Sequence, residues 1–214
     1  MNSAASLAGG LPVGSQAWRM RASVVFAYAI PAVLVWGLLG LAVGALGLVT
    51  PGLRGMALAV AAAYGCYYGL VELSGRRGLA PPGRGWQVPQ AMLIRARPRR
   101  RILVWGALLG PGFATRNPFA GFGMLPLAVT AMPGIGAAVV VGAGIGLAHG
   151  TARASALLRD ARELSASPPE PEPGGGPPTH LDMLLKAIYW RRFDGAALLT
   201  VAATGAVACL RYFT

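Results

Sequence analysis

A short polar group interrupts a long apolar run in this sequence. Thr115, Arg116 and Asn117 lie in the segment GPGFATRNPFAGFG, residues 110–123, within the apolar residues 102–131. Arg116, Thr115 and the free amides of a helix that begins just after them would form a pocket suited to an anion. Asn117 could cap that helix. The pattern predicts a binding site for a small polar or anionic solute at these three residues.

The same segment contains residues that interrupt helices. As one continuous helix, 30 residues would be about 45 Å long, whereas the hydrocarbon core of a bilayer is about 30 Å thick. Pro111 and Pro118 each remove a helical hydrogen-bond donor. We therefore expect a broken span, with helix over about 102–110 and again from about 118 to 131, and with Arg116 near the middle of the membrane. The alternative is an external loop in which Arg116 is solvated.

Two further titratable residues lie near the ends of apolar runs. Glu72 is the only acid that we assign to a span, close in sequence to Arg76 and Arg77. It is interpreted as an interfacial ion pair, with proton transfer as the alternative. His149 lies near the matching end of a later span, where it could neighbour Glu72. It is a candidate for proton transfer or an ion pair, and a packing role is the alternative.

The two cysteines, Cys66 and Cys209, lie in different apolar runs and form no CxxC motif. Their expected depths in the membrane differ by roughly 10 Å or more, whereas a disulfide needs Cα atoms within about 7 Å. We therefore expect no disulfide between them. We also predict no catalytic residues, no metal site and no cofactor, and enzymatic activity is not expected.

The composition is that of a membrane protein. Of the 214 residues, 55% are hydrophobic and 12% are charged, against about 25% charged residues in soluble domains. Several apolar runs exceed the roughly 18 residues that indicate a transmembrane helix. The net charge of +12 comes mostly from arginines between these runs, which is the pattern of membrane topology rather than of nucleic-acid binding.

The spacing of the apolar runs predicts an all-α polytopic membrane helix bundle with about five transmembrane helices. The predicted segments are a cytoplasmic tail (1–22), a first helical hairpin (23–74), an Arg-rich cytoplasmic loop (75–101), a second hairpin with a broken first helix (102–158), a disordered linker (163–179), and an interfacial helix followed by the last transmembrane helix (180–214). The composition suggests a bacterial source, so we expect a multi-pass protein of the plasma (inner) membrane.

The loop 75–101 sets the predicted orientation. It contains eight arginines and no acid, so it should be cytoplasmic, and the parity of the spans then makes the N-terminus cytoplasmic as well. Its last four arginines are candidates for binding a protein partner or anionic lipid: Arg97, Arg99, Arg100 and Arg101. Besides the bilayer itself, a protein partner or a homo-oligomer could pack on the Gly-rich helix faces. No nucleic-acid partner is expected.

The two predicted hairpins resemble each other. LVWGLLG at 34–40 corresponds to LVWGALLG at 103–110, and each hairpin turns at a Pro-Gly pair, TPG at 50–52 and MPG at 132–134. The returning helices carry glycines four residues apart, which permits close helix packing. Chance similarity in a Gly- and Leu-rich chain is the alternative to an internal repeat.

GPGFATRNPFAGFGMLP, followed by GIGLAHGTAR, resembles the CcdA/DsbD and LysE-like group of small inner-membrane proteins over about residues 102–158. The resemblance implies repeated hairpins whose first helix is broken at proline. The redox members of the group have a cysteine at the break, and residues 115–118 contain none, which argues against thiol electron transfer. A redox carrier would need Cys66 and Cys209 to change oxidation state together.

Two functions follow as expectations. The first is transport or export of a small polar or anionic solute through the broken-helix site. The alternative is a non-catalytic membrane subunit or assembly factor that binds a protein partner or anionic lipid through the Arg-rich loop.

Overall fold

Helices account for all of the regular structure in the residues that the computed structural model describes, which are 15–50, 52–75, 98–112, 120–165 and 180–214. They are α1 (Ser15–Val49), α2 (Leu53–Ser74), α3 (Pro98–Leu109), α4 (Met124–Thr130), α5 (Gly134–Ser165) and α6 (His180–Phe213). A 3-10 turn, Ala120–Gly123, leads directly into α4. Within these ranges the predicted all-α class is confirmed.

Four of these helices contain a stretch that is long and apolar enough to cross a membrane: Trp18–Val49, Leu53–Ser74, Gly134–Ala161 and Ile188–Tyr212. Many of their large apolar side chains are exposed at the protein surface. Outward-facing apolar side chains are what a lipid environment requires. The helix at α3 and the apolar stretch Ala120–Thr130 are shorter.

The last helix runs without a break from its polar part to its apolar part. The sequence predicts a short interfacial helix over residues 180–190 that leads into the final span, and α6 is one continuous helix, His180–Phe213. No proline separates the two predicted parts, and the two arginines between them, Arg191 and Arg192, are good helix formers. A change from polar to apolar composition therefore marks a change of environment here and not the end of a helix.

The described residues group into two compact units. Of the described residues, the first unit combines 15–35, 98–112 and 144–165, and the second combines 36–50, 52–75, 120–143 and 180–214. In the first unit, Val24 and Tyr28 of α1 are buried together with Ala154 of α5. A Cβ atom on Gly106 of α3 would collide with the carbonyl group of Ala27, so α3 packs backbone to backbone on α1.

In the second unit, α2 packs antiparallel against α6, with contacts that run from Glu72 and Arg191 at one end to Gly55 and Cys209 at the other. A Cβ atom on Gly65 would lie 2.8 Å from the carbonyl oxygen of Leu198, and one on Gly69 would lie 3.1 Å from that of Gly195. Near the other end of the pair, the thiol of Cys209 is 3.9 Å from the carbonyl oxygen of Gly55. The glycines four residues apart therefore permit close helix packing, as their spacing predicts.

The two Pro-Gly turns end in the same backbone conformation. Gly52 and Gly134, which follow the prolines, have φ angles of 92° and 76°. A side chain at such an angle is strained, so glycine is required at both positions. The predicted hairpins thus share the geometry of their turns as well as the motif.

Candidate functional site

The most deeply buried charge among the described residues is on α2. The side chain of Glu72 is only 6% exposed, and its Oε2 atom accepts a hydrogen bond of 2.5 Å from Nε of Arg191 on α6. The side chain of Arg191 is 43% exposed. A buried carboxylate is stable only when it is paired and hydrogen-bonded, so this ion pair permits Glu72 to lie in the helix interface.

A second carboxylate, that of Asp194, lies on α6 about one helical turn beyond Arg191. Oδ2 of Asp194 accepts a hydrogen bond of 3.1 Å from the backbone amide of Gly121. The first amides of a helical segment have no partner within that segment, and a carboxylate is a favourable acceptor for them. Asp194 therefore caps the turn Ala120–Gly123, and it also lies within the electrostatic range of Glu72.

Tyr64 of α2 binds the same turn from the other helix. Its hydroxyl donates a hydrogen bond of 2.8 Å to the carbonyl oxygen of Ala120. A Cβ atom on Gly121 would collide with the carboxylate of Asp194, and one on Gly123 would collide with the hydroxyl of Tyr64. A side chain at either glycine of the AGFG turn would therefore displace the polar group that binds the turn, because that group occupies the space of the added carbon.

The far end of α4 is also held by a side chain of α2. Nε of Arg54 donates a hydrogen bond of 2.9 Å to the carbonyl oxygen of Ala131. The guanidinium carbon of Arg54 lies 5.7 Å from the centre of the Tyr212 ring on α6. Arg54 therefore has a capping role at the C-terminus of α4.

Several predicted site residues lie outside the described residues. These are Thr115, Arg116, Asn117 and Arg97. Arg99, Arg100 and Arg101 belong to the first turns of α3, and of their three side chains only that of Arg100 is described, where it is exposed. The predicted solute site and the predicted lipid or partner site therefore remain predictions.

The structure gives Glu72 an ion-pair partner that the sequence does not suggest. Its partner is Arg191, 119 residues away in the chain, while Arg76 and Arg77 lie outside the described residues. The assignment of Glu72 as the only acid in a span is wrong, because Asp194 lies within Ile188–Tyr212.

His149 belongs to the first unit and Glu72 to the second. His149 is half-buried on α5, and its neighbour Gly150 lies against the backbone of Ala29 on α1. The proton-transfer role considered for His149 stays a prediction.

A helical pattern in the sequence would have revealed the missed residues. Arg191, Asp194, Leu198 and Ala202 follow one another at intervals of three or four residues, and Leu198 and Ala202 are buried against α2. Two charges on the packed face of a membrane-crossing helix indicate a polar contact with another helix.

Cys66 on α2 and Cys209 on α6 lie at different levels of the helix pair. Cys209 is at the level of Gly55, and Cys66 is eleven residues further along the helix, which corresponds to about 16 Å. In the described ranges, no three His, Cys, Asp or Glu side chains converge as ligands for a metal ion.

A scan against protein-family models and searches of curated proteins and of solved structures found no match to this chain. The resemblance to the CcdA/DsbD and LysE-like group therefore stays a prediction. Inferences about function depend on the polar cluster of Tyr64, Glu72, Arg191 and Asp194 around the turn Ala120–Gly123.

Proposed function

We propose that this protein is a multi-pass transporter or exporter of a small polar or anionic solute in the bacterial plasma membrane. The observation that carries the proposal is the set of charges between two candidate membrane spans, near the same end of the pair: Glu72 on α2, and Arg191 and Asp194 on α6. Charged side chains buried between such helices are costly and often belong to the path of a solute or proton.

The interrupted helix supports the same function. Helix α3 ends at Leu109, Gly112 adopts a φ angle of 85°, and helical structure is described again from Ala120. Discontinuous helices line the substrate sites of many secondary transporters. We propose that α3 and the segment Ala120–Thr130 together make a fifth, broken span, and that the N-terminus is cytoplasmic.

Asp194 changes how an anionic solute would bind. The amide of Gly121, at the start of the helical segment, already donates to the carboxylate of Asp194, so it is not available to a solute while that bond is intact. Arg116 precedes Ala120 by four residues, a reach of at most about 14 Å. We propose that Arg116, Thr115 and Asn117 contact the solute, while Asp194 holds the turn in place.

Uptake into proteoliposomes tests the proposal. We would measure entry of labelled inorganic phosphate, glutamate and serine into vesicles containing the full-length protein. At least one of these solutes should enter faster than into protein-free vesicles. Arg116→Ala should abolish that uptake at equal protein incorporation, whereas Asp160→Asn, at an exposed position on α5, should leave it unchanged. Normal uptake by Arg116→Ala, or no protein-dependent uptake of any of the three, contradicts the proposal.

A further inference from the structure

The outer face of α6 carries three neighbouring aromatic side chains near the start of its apolar stretch. Tyr189, Trp190 and Phe193 are 65%, 51% and 60% exposed. The ring centres of Tyr189 and Trp190 are 5.7 Å apart, those of Trp190 and Phe193 are 6.0 Å apart, and both pairs meet edge to face. The three rings thus form one continuous exposed aromatic patch.

The two adjacent arginines of this region point in different directions. Arg191 bonds to Glu72 in the helix interface, whereas Arg192 is exposed. Tyr189 lies three residues before Arg192 and therefore on the same face of the helix. The only acid within residues 188–200 is Asp194, which binds the amide of Gly121. Arg192 therefore adds a positive charge beside Tyr189, at the edge of the aromatic patch, and the nearby acid Asp194 is already bonded to Gly121.

The position of this patch along α6 identifies its environment. The apolar stretch of α6 begins at Ile188, and the large exposed side chains beyond the patch include the aliphatic Val201, Val207 and Leu210. Tyrosine and tryptophan are enriched at the level of lipid headgroups, and aliphatic side chains face the acyl chains. Arginine binds phosphate oxygens through two parallel hydrogen bonds.

We propose that Tyr189, Trp190, Arg192 and Phe193, which we call the aromatic collar, form a binding site for the headgroup of an anionic phospholipid. The guanidinium of Arg192 binds the phosphate, and the rings pack on the glycerol backbone and the upper acyl chain. This site is distinct from the polar cluster, because the side chains of the collar are exposed, whereas Glu72 is buried and Asp194 binds the amide of Gly121.

Crosslinking at the collar itself tests the site without interference from the other arginines. The full-length protein would carry p-benzoylphenylalanine in place of Tyr189, which lies on the same face of α6 as Arg192, in vesicles of equimolar phosphatidylglycerol and phosphatidylcholine with identical acyl chains. Mass spectrometry of the crosslinked α6 peptide would count each lipid. We expect about fivefold more adducts with phosphatidylglycerol, which corresponds to the roughly 1 kcal/mol that one arginine contributes near an anionic surface.

The Arg192→Gln variant should bring the two lipids to equal yields, because it removes the phosphate ligand and leaves the rings in place. Arg159→Gln, at an exposed position on α5, is the matched control and should keep the fivefold ratio. Equal yields of the two lipids while Arg192 is present would overturn the proposal. So would a ratio of yields that Arg192→Gln does not change. So would crosslinks to a second protein chain, because these would show that a protein covers the collar.

Discussion

The ion pair between Glu72 and Arg191 should be energetically asymmetric. The side chain of Glu72 is 6% exposed and that of Arg191 is 43% exposed. If Arg191 is replaced, Glu72 loses its guanidinium partner at a buried position. If Glu72 is replaced, Arg191 can direct its charge towards water or lipid headgroups, because long basic side chains extend to the polar region.

The magnitudes follow from this difference in burial. Removing one partner of a fully buried pair costs about 3–5 kcal/mol, and an exposed pair contributes about 0–1 kcal/mol. We expect Arg191→Gln to lower the free energy of unfolding by about 2–3 kcal/mol, and Glu72→Gln by about 1 kcal/mol. The double variant should lose only about 2 kcal/mol, so the coupling energy is about 1.5 kcal/mol, near the upper end for interhelical hydrogen bonds in membranes.

Reversible unfolding by SDS in mixed micelles, followed by circular dichroism, measures these values. Arg192→Gln is a matched control on the next residue, which is exposed, and it should change stability by less than about 0.5 kcal/mol. The reasoning is refuted if Arg191→Gln costs no more than Arg192→Gln, if Glu72→Gln is the costlier single change, or if the double variant equals the sum of the two single variants.

Two further predictions concern the turn Ala120–Gly123. Asp194→Ala removes the acceptor of the Gly121 amide and should destabilise the protein by about 1–2 kcal/mol. The control Asp160→Asn, at its exposed position, should be neutral, and equal SDS midpoints for the two variants would count against the capping role. Gly121→Ala would push a methyl group into the carboxylate of Asp194 and should lower the unfolding midpoint. The control Gly136→Ala, where nothing lies within 4 Å of the added carbon, should be neutral or stabilising by up to about 1 kcal/mol. A Gly121→Ala variant as stable as Gly136→Ala would contradict the steric argument.

Local patterns predict the helices of this chain well, because the causes of helix formation and termination are local. Long apolar runs correspond to α1, α2, α5 and the membrane-crossing part of α6. The end of α3 at Leu109 adjoins Gly110 and Pro111, where the sequence places helix breakers. The positive φ angles of Gly52 and Gly134 likewise follow from the Pro-Gly pairs at the two turns.

The polar contacts were beyond such patterns, because they depend on which helices pack together. Glu72 and Arg191 are 119 residues apart in the chain, and Gly121 and Asp194 are 73 apart. The arginines near Glu72 in the sequence, Arg76 and Arg77, lie outside the described residues, and nothing local indicates Arg191. The register of α2 against α6 is needed to find Arg191, and that register comes from the glycine contacts of the folded pair.

The close contact between α2 and α6 has a mechanical consequence. Sliding one helix along the other by a single turn, about 5.4 Å, would break the bond between Glu72 and Arg191 and would separate the thiol of Cys209 from the carbonyl oxygen of Gly55. The two helices should therefore move together as one rigid body. The segment Ala120–Thr130 is bound to this helix pair by hydrogen bonds at its two ends, from Gly121 to Asp194 and from Arg54 to Ala131. Because this segment is much shorter than α2 and α6, we expect any motion among these three elements to begin there.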